Sequence, residues 1–159
     1  MFDKYKLVID LNQEPDTSET TERVKFSGRV LVAEDSQSNR MLIKLLLEKL
    51  DLQVTMAQDG KEAVDKALSQ PFDLIFMDIQ MPNMDGYEAT RALRLNGLKT
   101  PIIALTAYAM KGDDEKCISA GCSDYIAKPV DRETLLRVIS KYLPSKSKAL
   151  HQEDAPTFW

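Results

Sequence analysis

Five side chains that could handle a phosphate or a divalent cation follow short apolar runs in this 159-residue sequence. Glu34 and Asp35 follow RVLVA, Asp78 follows FDLIFM, Thr106 follows PIIAL and Lys128 follows DYIA. Three neighbouring carboxylates repel one another, and a hard divalent cation with oxygen ligands removes that cost. Lys128 can neutralise phosphate charge, and Thr106 can donate a hydrogen bond to it. The five residues therefore predict cation-assisted phosphate chemistry, provided that the fold brings them together.

The apolar runs are spaced as strands of a parallel sheet. Between and after them lie amphipathic stretches of helical character, and the order predicts five βα units. The predicted fold class is α/β, a doubly wound five-stranded parallel sheet with five helices covering both faces. The carboxyl ends of parallel strands share one edge, where such sheets place their functional residues. The runs occupy 29–33, 52–57, 72–77, 101–105 and 124–127, and the helices 38–50, 59–69, 86–95, 112–120 and 131–143.

The periodicity within these stretches indicates which residues face the core and where helices begin. The first, third and fourth apolar runs are nearly continuous, as expected of strands buried on both faces. The first helix is expected to turn its leucine-rich side to the core, through Met41, Leu42, Leu45, Leu46 and Leu50. Three aspartates are expected at helix starts, namely Asp59, Asp85 and Asp131.

Composition excludes several other classes. A net charge of −4 gives no nucleic-acid footprint. No apolar run approaches the roughly 20 residues of a membrane span, and MFDKYKLVID is not a signal peptide. Two cysteines and one histidine are too few for a zinc site or a disulfide framework. We therefore expect a cytoplasmic segment with reduced thiols and no membrane contact of its own, even if it belongs to a membrane-bound protein.

The regular pattern covers only part of the chain. Residues 1–28 are polar apart from a possible short strand at 5–11, and they predict a linker or tether. Residues 29–143 form the predicted domain. Residues 144–159 lack periodicity and predict a flexible C-terminal tail.

Four motifs together resemble the response-regulator receiver domain of two-component systems. They are Glu34-Asp35, MDIQMPNMDG at 77–86, LTA at 105–107 and DYIAKP at 124–129. Each motif is weak alone, but all four stand in order at the predicted strand ends. The resemblance covers 29–143 and is greatest to the receivers of hybrid sensor histidine kinases. It implies a flavodoxin-like fold and phosphorelay signal transduction.

The resemblance also implies roles for residues near the acceptor. Asp78 would be the phosphoacceptor and nucleophile. Mg²⁺ would be the cofactor, held by Asp35, Asp78 and the backbone carbonyl of Gln80, with Glu34 acting through a water. Gln80 and Tyr108 would flank the path of the water that hydrolyses the acyl phosphate.

Further roles concern phosphate contact and switching. Thr106 and Lys128 would contact the phosphoryl oxygens, and the Lys128–Pro129 peptide bond would be cis. Thr106 and Tyr125 would form the switch, reshaping a surface within residues 112–143 that could also support a dimer.

The expected partner is a histidine kinase dimerisation domain or a histidine phosphotransfer protein, with no direct nucleic-acid contact. The parent chain would then be a histidine protein kinase, and a stand-alone single-domain regulator is the alternative. A phosphatase with an aspartate nucleophile fits less well, because it needs a general acid where this chain has Gln80. A pseudo-receiver that only binds partners would lack part of the acceptor set, which is complete here.

Overall fold

Within the part of the chain that the structure describes, five parallel strands and five helices alternate. The computed structural model describes residues 24–107 and 113–145. The possible strand at 5–11 and Tyr108 lie outside these residues. The elements are β1 (Arg29–Ala33), α1 (Gln37–Glu48), β2 (Gln53–Ala57), α2 (Gly60–Ser69), β3 (Leu74–Asp78), α3 (Gly86–Leu95), β4 (Ile102–Thr106), α4 (Asp113–Ala120), β5 (Asp124–Ala127) and α5 (Arg132–Tyr142).

The strands form one sheet in the order β2-β1-β3-β4-β5, with every neighbouring pair parallel. The predicted fold class is therefore confirmed. The chain moves outward from β1 to β2 and then returns to the other side of β1 with β3. The point between β1 and β3 is where the winding direction changes, and the two loops diverge there to leave a crevice.

The three central strands are buried along almost their whole length. All residues of β3 and β4 are buried, as are all of β1 except Arg29. The edge strand β2 is mostly half-buried and β5 alternates. These patterns confirm the expectation from the continuous apolar runs, because only a strand covered by helices on both faces has no solvent side.

Two apolar clusters lie on opposite faces of the sheet. One contains the buried side chains of α1 and α5, including Ile43, Leu47 and Val138. The other contains those of α2, α3 and α4, including Ala63 and Leu93. Burial of these helix stripes is the main driving force for the fold, since apolar area removed from water contributes about 25 cal/mol per Å².

The prediction for the core-facing side of α1 is largely wrong. Met41, Leu42 and Leu45 are 64%, 45% and 53% exposed, whereas Ile43 and Leu47 are buried with Leu50. Leu46 packs against the core only in part. The helix is apolar on two adjacent sides, so its periodicity is compatible with either side facing inward, and only packing on the sheet selects Ile43 and Leu47.

Aspartates begin three of the helices, as predicted. Oδ1 of Asp59 accepts a hydrogen bond from the Glu62 N–H, and Oδ1 of Asp131 accepts one from the Thr134 N–H. Asp85 caps α3 in the same way, in a reciprocal capping box.

The ends of the described chain meet at the base of the sheet. Phe26, in the stretch predicted as linker, is fully buried in the cluster of α1 and α5. Its N–H donates to the Leu50 carbonyl at 2.8 Å, and it forms an antiparallel bridge with Ser145. The packed unit therefore extends a few residues beyond the repeating pattern at both ends.

Replacing Phe26 by alanine should destabilise the fold strongly. Loss of a fully buried phenylalanine costs about 3–5 kcal/mol of unfolding free energy through lost transfer energy and the remaining cavity. Urea unfolding followed by circular dichroism measures the effect. Leu95→Ala is the matched control, because Leu95 is 88% exposed and its loss should change little. Equal effects of the two substitutions would show that Phe26 does not belong to the core.

Candidate functional site

Three carboxylates meet at the crevice between β1 and β3. Asp78 is the last residue of β3 and is only 2% exposed. Glu34 and Asp35 follow β1, with Glu34 fully buried and Asp35 exposed. One carboxylate oxygen from each of the three lies within 4.8 Å of the others. The parallel pairing of β1 with β3 therefore brings together acids that are far apart in sequence.

Lys128 supplies a positive charge from the neighbouring part of the same edge. Its Nζ donates a hydrogen bond to Oδ2 of Asp78 at 2.9 Å and lies 3.0 Å from Oε1 of Glu34. Its backbone N–H donates to the Thr106 carbonyl at 2.7 Å, which fixes the residue beside the end of β4. The peptide bond between Lys128 and Pro129 is cis, as expected.

The carboxylate of Glu34 is not fully satisfied by these contacts. Oε2 accepts a hydrogen bond from the Ser36 N–H at 3.0 Å. Oε1 is buried, and its contact with Lys128 at 3.0 Å is an ion pair without a hydrogen bond. A buried carboxylate oxygen in this state is costly. A cation or its coordinated water would satisfy it.

The loop after β3 packs its backbone against Asp78. The Gln80 N–H donates to Oδ1 of Asp78 at 3.2 Å, and the Gly86 N–H donates to the Ile79 carbonyl at 2.9 Å. A Cβ atom at Gly86 would stand 2.3 Å from the Asp78 carbonyl oxygen. A glycine is therefore required where α3 begins, and the loop returns tightly over the end of β3.

The two predicted switch residues lie on β4 and β5. Thr106 is the last residue of β4, 5% exposed, and pairs in register with Ala127. Tyr125 pairs with Ala104 on the edge strand and is 38% exposed. Thr106 is thus at the same edge as Asp78, while Tyr125 lies further down β5 with its ring partly in solvent.

Burial and charge shift the pKa values of the central ionisable groups. Burial raises the pKa of Asp78 to about 6, against the opposing effect of Lys128 and with help from the negative charge of Glu34. Burial would also raise the pKa of Glu34, but the Ser36 N–H and Lys128 outweigh it and leave that pKa lowered. Burial opposes the charge of Lys128, yet Asp78 and Glu34 hold its pKa above the usual value.

The donor set fits a hard divalent cation. Mg²⁺ prefers oxygen ligands, and the three acids each offer a carboxylate oxygen within 4.8 Å of the others. Oε1 of Glu34 has an ion pair with Lys128 but no hydrogen bond, and burial raises the pKa of Asp78, so both carboxylates favour additional positive charge at the site.

One contributor was missed by the sequence analysis. The guanidinium of Arg40 on α1 donates to the backbone carbonyls of Glu34 at 2.8 Å and Asp35 at 3.0 Å. It therefore fixes the peptide groups that carry two of the acids. The only available signal was an arginine shortly after the acid pair, which by itself is typical of any exposed helix.

The chain matches the response regulator receiver domain family over residues 30–140, and it belongs to that family. It is therefore a receiver domain of two-component phosphorelay signalling, and the predicted family is confirmed.

Its relatives include receivers of hybrid histidine kinases. The chain is 42% identical over 126 residues to the signal transduction histidine-protein kinase BarA of Escherichia coli, an alignment that covers 78% of this chain and 14% of BarA. It is 48% identical over 121 residues to hybrid signal transduction histidine kinase I of Dictyostelium discoideum, covering 70% of this chain and 7% of that protein. The chain thus spans a small part of the length of these relatives.

Solved receivers share the fold. The receiver domain of a sensor histidine kinase of Pseudomonas aeruginosa, with a magnesium ion coordinated in its active-site cleft, is 43% identical with a TM-score of 0.68, covering 73% of this chain and 97% of that one. The receiver domain of Saccharomyces cerevisiae Ssk1, in complex with the histidine phosphotransfer protein Ypd1, is 32% identical with a TM-score of 0.70, covering 75% and 90%.

Asp78→Asn should stabilise the fold at neutral pH when Mg²⁺ is absent. A carboxyl whose pKa rises from 3.8 unfolded to about 6 folded destabilises the fold in its ionised form. The penalty is absent below pH 3.8, grows up to about pH 6 and is constant above it. Unfolding in EDTA at several pH values should therefore show a gain of about 1–3 kcal/mol at pH 7.5 that shrinks on acidification. A gain independent of pH would contradict the assigned cause.

Proposed function

We propose that Asp78 accepts a phosphoryl group from a phosphohistidine, in a Mg²⁺-dependent reaction. The observation that carries this proposal is the buried carboxylate of Asp78, set among two further acids and 2.9 Å from the Lys128 ammonium. The phosphohistidine belongs to a histidine kinase dimerisation domain or a phosphotransfer protein. Ypd1, the partner of the similar Ssk1 receiver, supports this assignment.

The transfer step needs little covalent chemistry from the protein. An oxygen of Asp78 forms a bond to phosphorus while the P–N bond breaks, and that bond's electron pair stays on the departing imidazole. The transition state is loose, so positioning and charge neutralisation supply most of the acceleration. Lys128 and the hydroxyl of Thr106 bind the phosphoryl oxygens in this scheme.

Asp35, Asp78 and the backbone carbonyl of Gln80 hold the magnesium ion, with Glu34 reaching it through a water. When bound, the ion neutralises negative charge on the transferring group and on the acids. The burial of Glu34 and the exposure of Asp35 suit these two different roles.

The switch uses Thr106 and Tyr125. Thr106 moves toward the phosphoryl oxygens, and the ring of Tyr125 turns inward from its partly exposed position into the space released. The movement of these two side chains biases a pre-existing equilibrium between two conformations of the surface formed by α4, β5 and α5. The same surface, where Ile118 is 70% exposed, is the proposed contact for a dimer.

The natural context of the receiver is a hybrid sensor histidine kinase. Its support is the identity to receivers of much longer kinases. A stand-alone regulator remains the second candidate, since the acceptor chemistry is the same in both. No helix in the described part of the chain combines the length and apolar character of a transmembrane segment.

The exposed apolar residues of α1 form a docking surface for the phosphohistidine partner. Leu42 also lines a cavity of about 290 Å³ together with Glu34, Lys128 and Pro129. The exposed apolar residues of α1 therefore adjoin a cavity whose lining includes Glu34 and Lys128 beside Asp78. A partner helix that covers Met41, Leu42 and Leu45 would bring its phosphohistidine to Asp78. Exposed apolar patches of this kind mark interaction sites.

Incubation with Mg²⁺ and a small phosphodonor should add one phosphoryl group that is labile to hydroxylamine. Asp78→Asn should abolish labelling because it removes the nucleophile. Asp35→Asn should raise the Mg²⁺ concentration needed for half-maximal labelling by about tenfold or more, since a charged ligand is lost. Mass spectrometry and magnesium titration give both results. Equal labelling of Asp78→Asn would move the acceptor elsewhere.

Leu42→Asp should slow transfer from a phosphorylated histidine phosphotransfer protein by about tenfold or more, because it places a charge in the docking surface. The rate is compared with that from a small phosphodonor, and the ratio of the two should fall. Leu95→Asp is the control, as Leu95 is exposed on the opposite face of the sheet. A ratio equal to the control's would exclude α1 from docking.

A further inference from the structure

The loop after the acceptor strand is fastened to the first turn of α2, a helix that supplies none of the proposed site residues. The Gly60 N–H donates a hydrogen bond to the Met84 carbonyl at 3.1 Å. The side-chain amide of Asn83 donates a second one to Oδ2 of Asp59 at 2.9 Å. Two neighbouring residues of the loop are thus held shortly after Gln80.

The point of attachment is a strained turn. Asn83 has a φ of 70°, and the Met84 N–H donates to the Pro82 carbonyl at 2.7 Å. A three-residue turn closed around a left-handed residue is rare and unfavourable by itself. Such a conformation persists where the surrounding structure holds it in place. Asn83 donates its hydrogen bond to Asp59, and Met84 accepts one from Gly60, so both of these consecutive residues are held from α2.

The approach of α2 to the loop leaves no room for a side chain. A Cβ atom at Gly60 would lie 2.2 Å from the Met84 carbonyl oxygen. At its other end the loop is held where Gly86 contacts Asp78 and Ile79. The segment that carries Gln80 is therefore fixed on both sides, once by α3 and once by α2.

Asp59 performs two tasks with its two oxygens. Oδ1 caps α2 through the Glu62 N–H at 2.8 Å, while Oδ2 binds Asn83. The same two hydrogen bonds, that of Glu62 first, hold the pKa of Asp59 below its usual value, so it is ionised at neutral pH. An ordinary capping residue needs only the first contact.

We infer that Asp59 and Gly60 are positioning residues for the magnesium site. They hold the loop so that the backbone of Gln80 stays beside Asp78, although neither residue touches the ion. The inference rests on the Mg²⁺ site proposed above. Groups that orient metal ligands from outside typically change metal affinity by about 10–100-fold when removed.

The test compares Asp59→Ser with Asp131→Ser by calorimetric Mg²⁺ titration. Serine still caps a helix but has a single oxygen, so Asp59→Ser keeps α2 capped and releases Asn83. Asp131 caps α5 on the opposite face of the sheet. We expect Asp59→Ser to raise the dissociation constant about tenfold and Asp131→Ser to leave it unchanged within about twofold. The thermal midpoints of the two variants should fall by similar amounts.

Asn83→Gly tests the same contact from the loop side, because glycine tolerates the positive φ and removes only the amide. It should weaken Mg²⁺ binding to a similar degree, and adding it to Asp59→Ser should cause no further loss. The inference is overturned if the losses of Mg²⁺ affinity add in the double variant, or if the Asp59 and Asp131 variants bind Mg²⁺ equally well. Both outcomes count only when the parent chain itself binds Mg²⁺. A parent chain that binds no Mg²⁺ would overturn the proposed metal site and this inference together.

Discussion

Burial of the Asp78 carboxylate at the end of a central strand is the constraint on which the rest of the site depends. A charge removed from water must be compensated by nearby charge and hydrogen bonds. Lys128 compensates part of it, but Glu34 competes for the same ammonium and keeps one oxygen without a hydrogen bond. The raised pKa of Asp78 records the remaining imbalance. Such a site has an electrostatic reason to bind a cation and then a phosphoryl group.

The fold supplies the geometry that this balance needs. The strand order places β1 and β4 on either side of β3, so the loops after all three strands open at one edge. Lys128 comes from one strand further out and reaches inward, its backbone fixed to Thr106. Glycines at the starts of α2 and α3 let backbone approach backbone around the loop after β3. Main-chain contacts therefore hold the loop after β3 close to the site.

The prediction from sequence agrees with the structure for the strands and the helix starts, but not for the side of α1 that faces the core. The strands, the helix starts and the convergence of the acids were predictable, because apolar continuity and parallel topology leave few alternatives. The inward side of α1 was not, since a helix with an exposed apolar side has the same periodicity as one with a broad core stripe. Phe26 shows the same limit, as a single aromatic in a polar segment has no period to reveal its burial.

The sequence by itself determined the fold class, the edge of the sheet that carries the chemistry, and the identity of Glu34, Asp35, Asp78, Thr106 and Lys128 as candidates. These follow from local patterns and from strand order, which are written along the chain. Only the tertiary structure decided which oxygen remains unpaired and which side of α1 faces water. It also revealed that Arg40 and Asp59 hold the backbone around the site. Those features depend on how the elements pack in three dimensions, and no local pattern in the sequence encodes that packing.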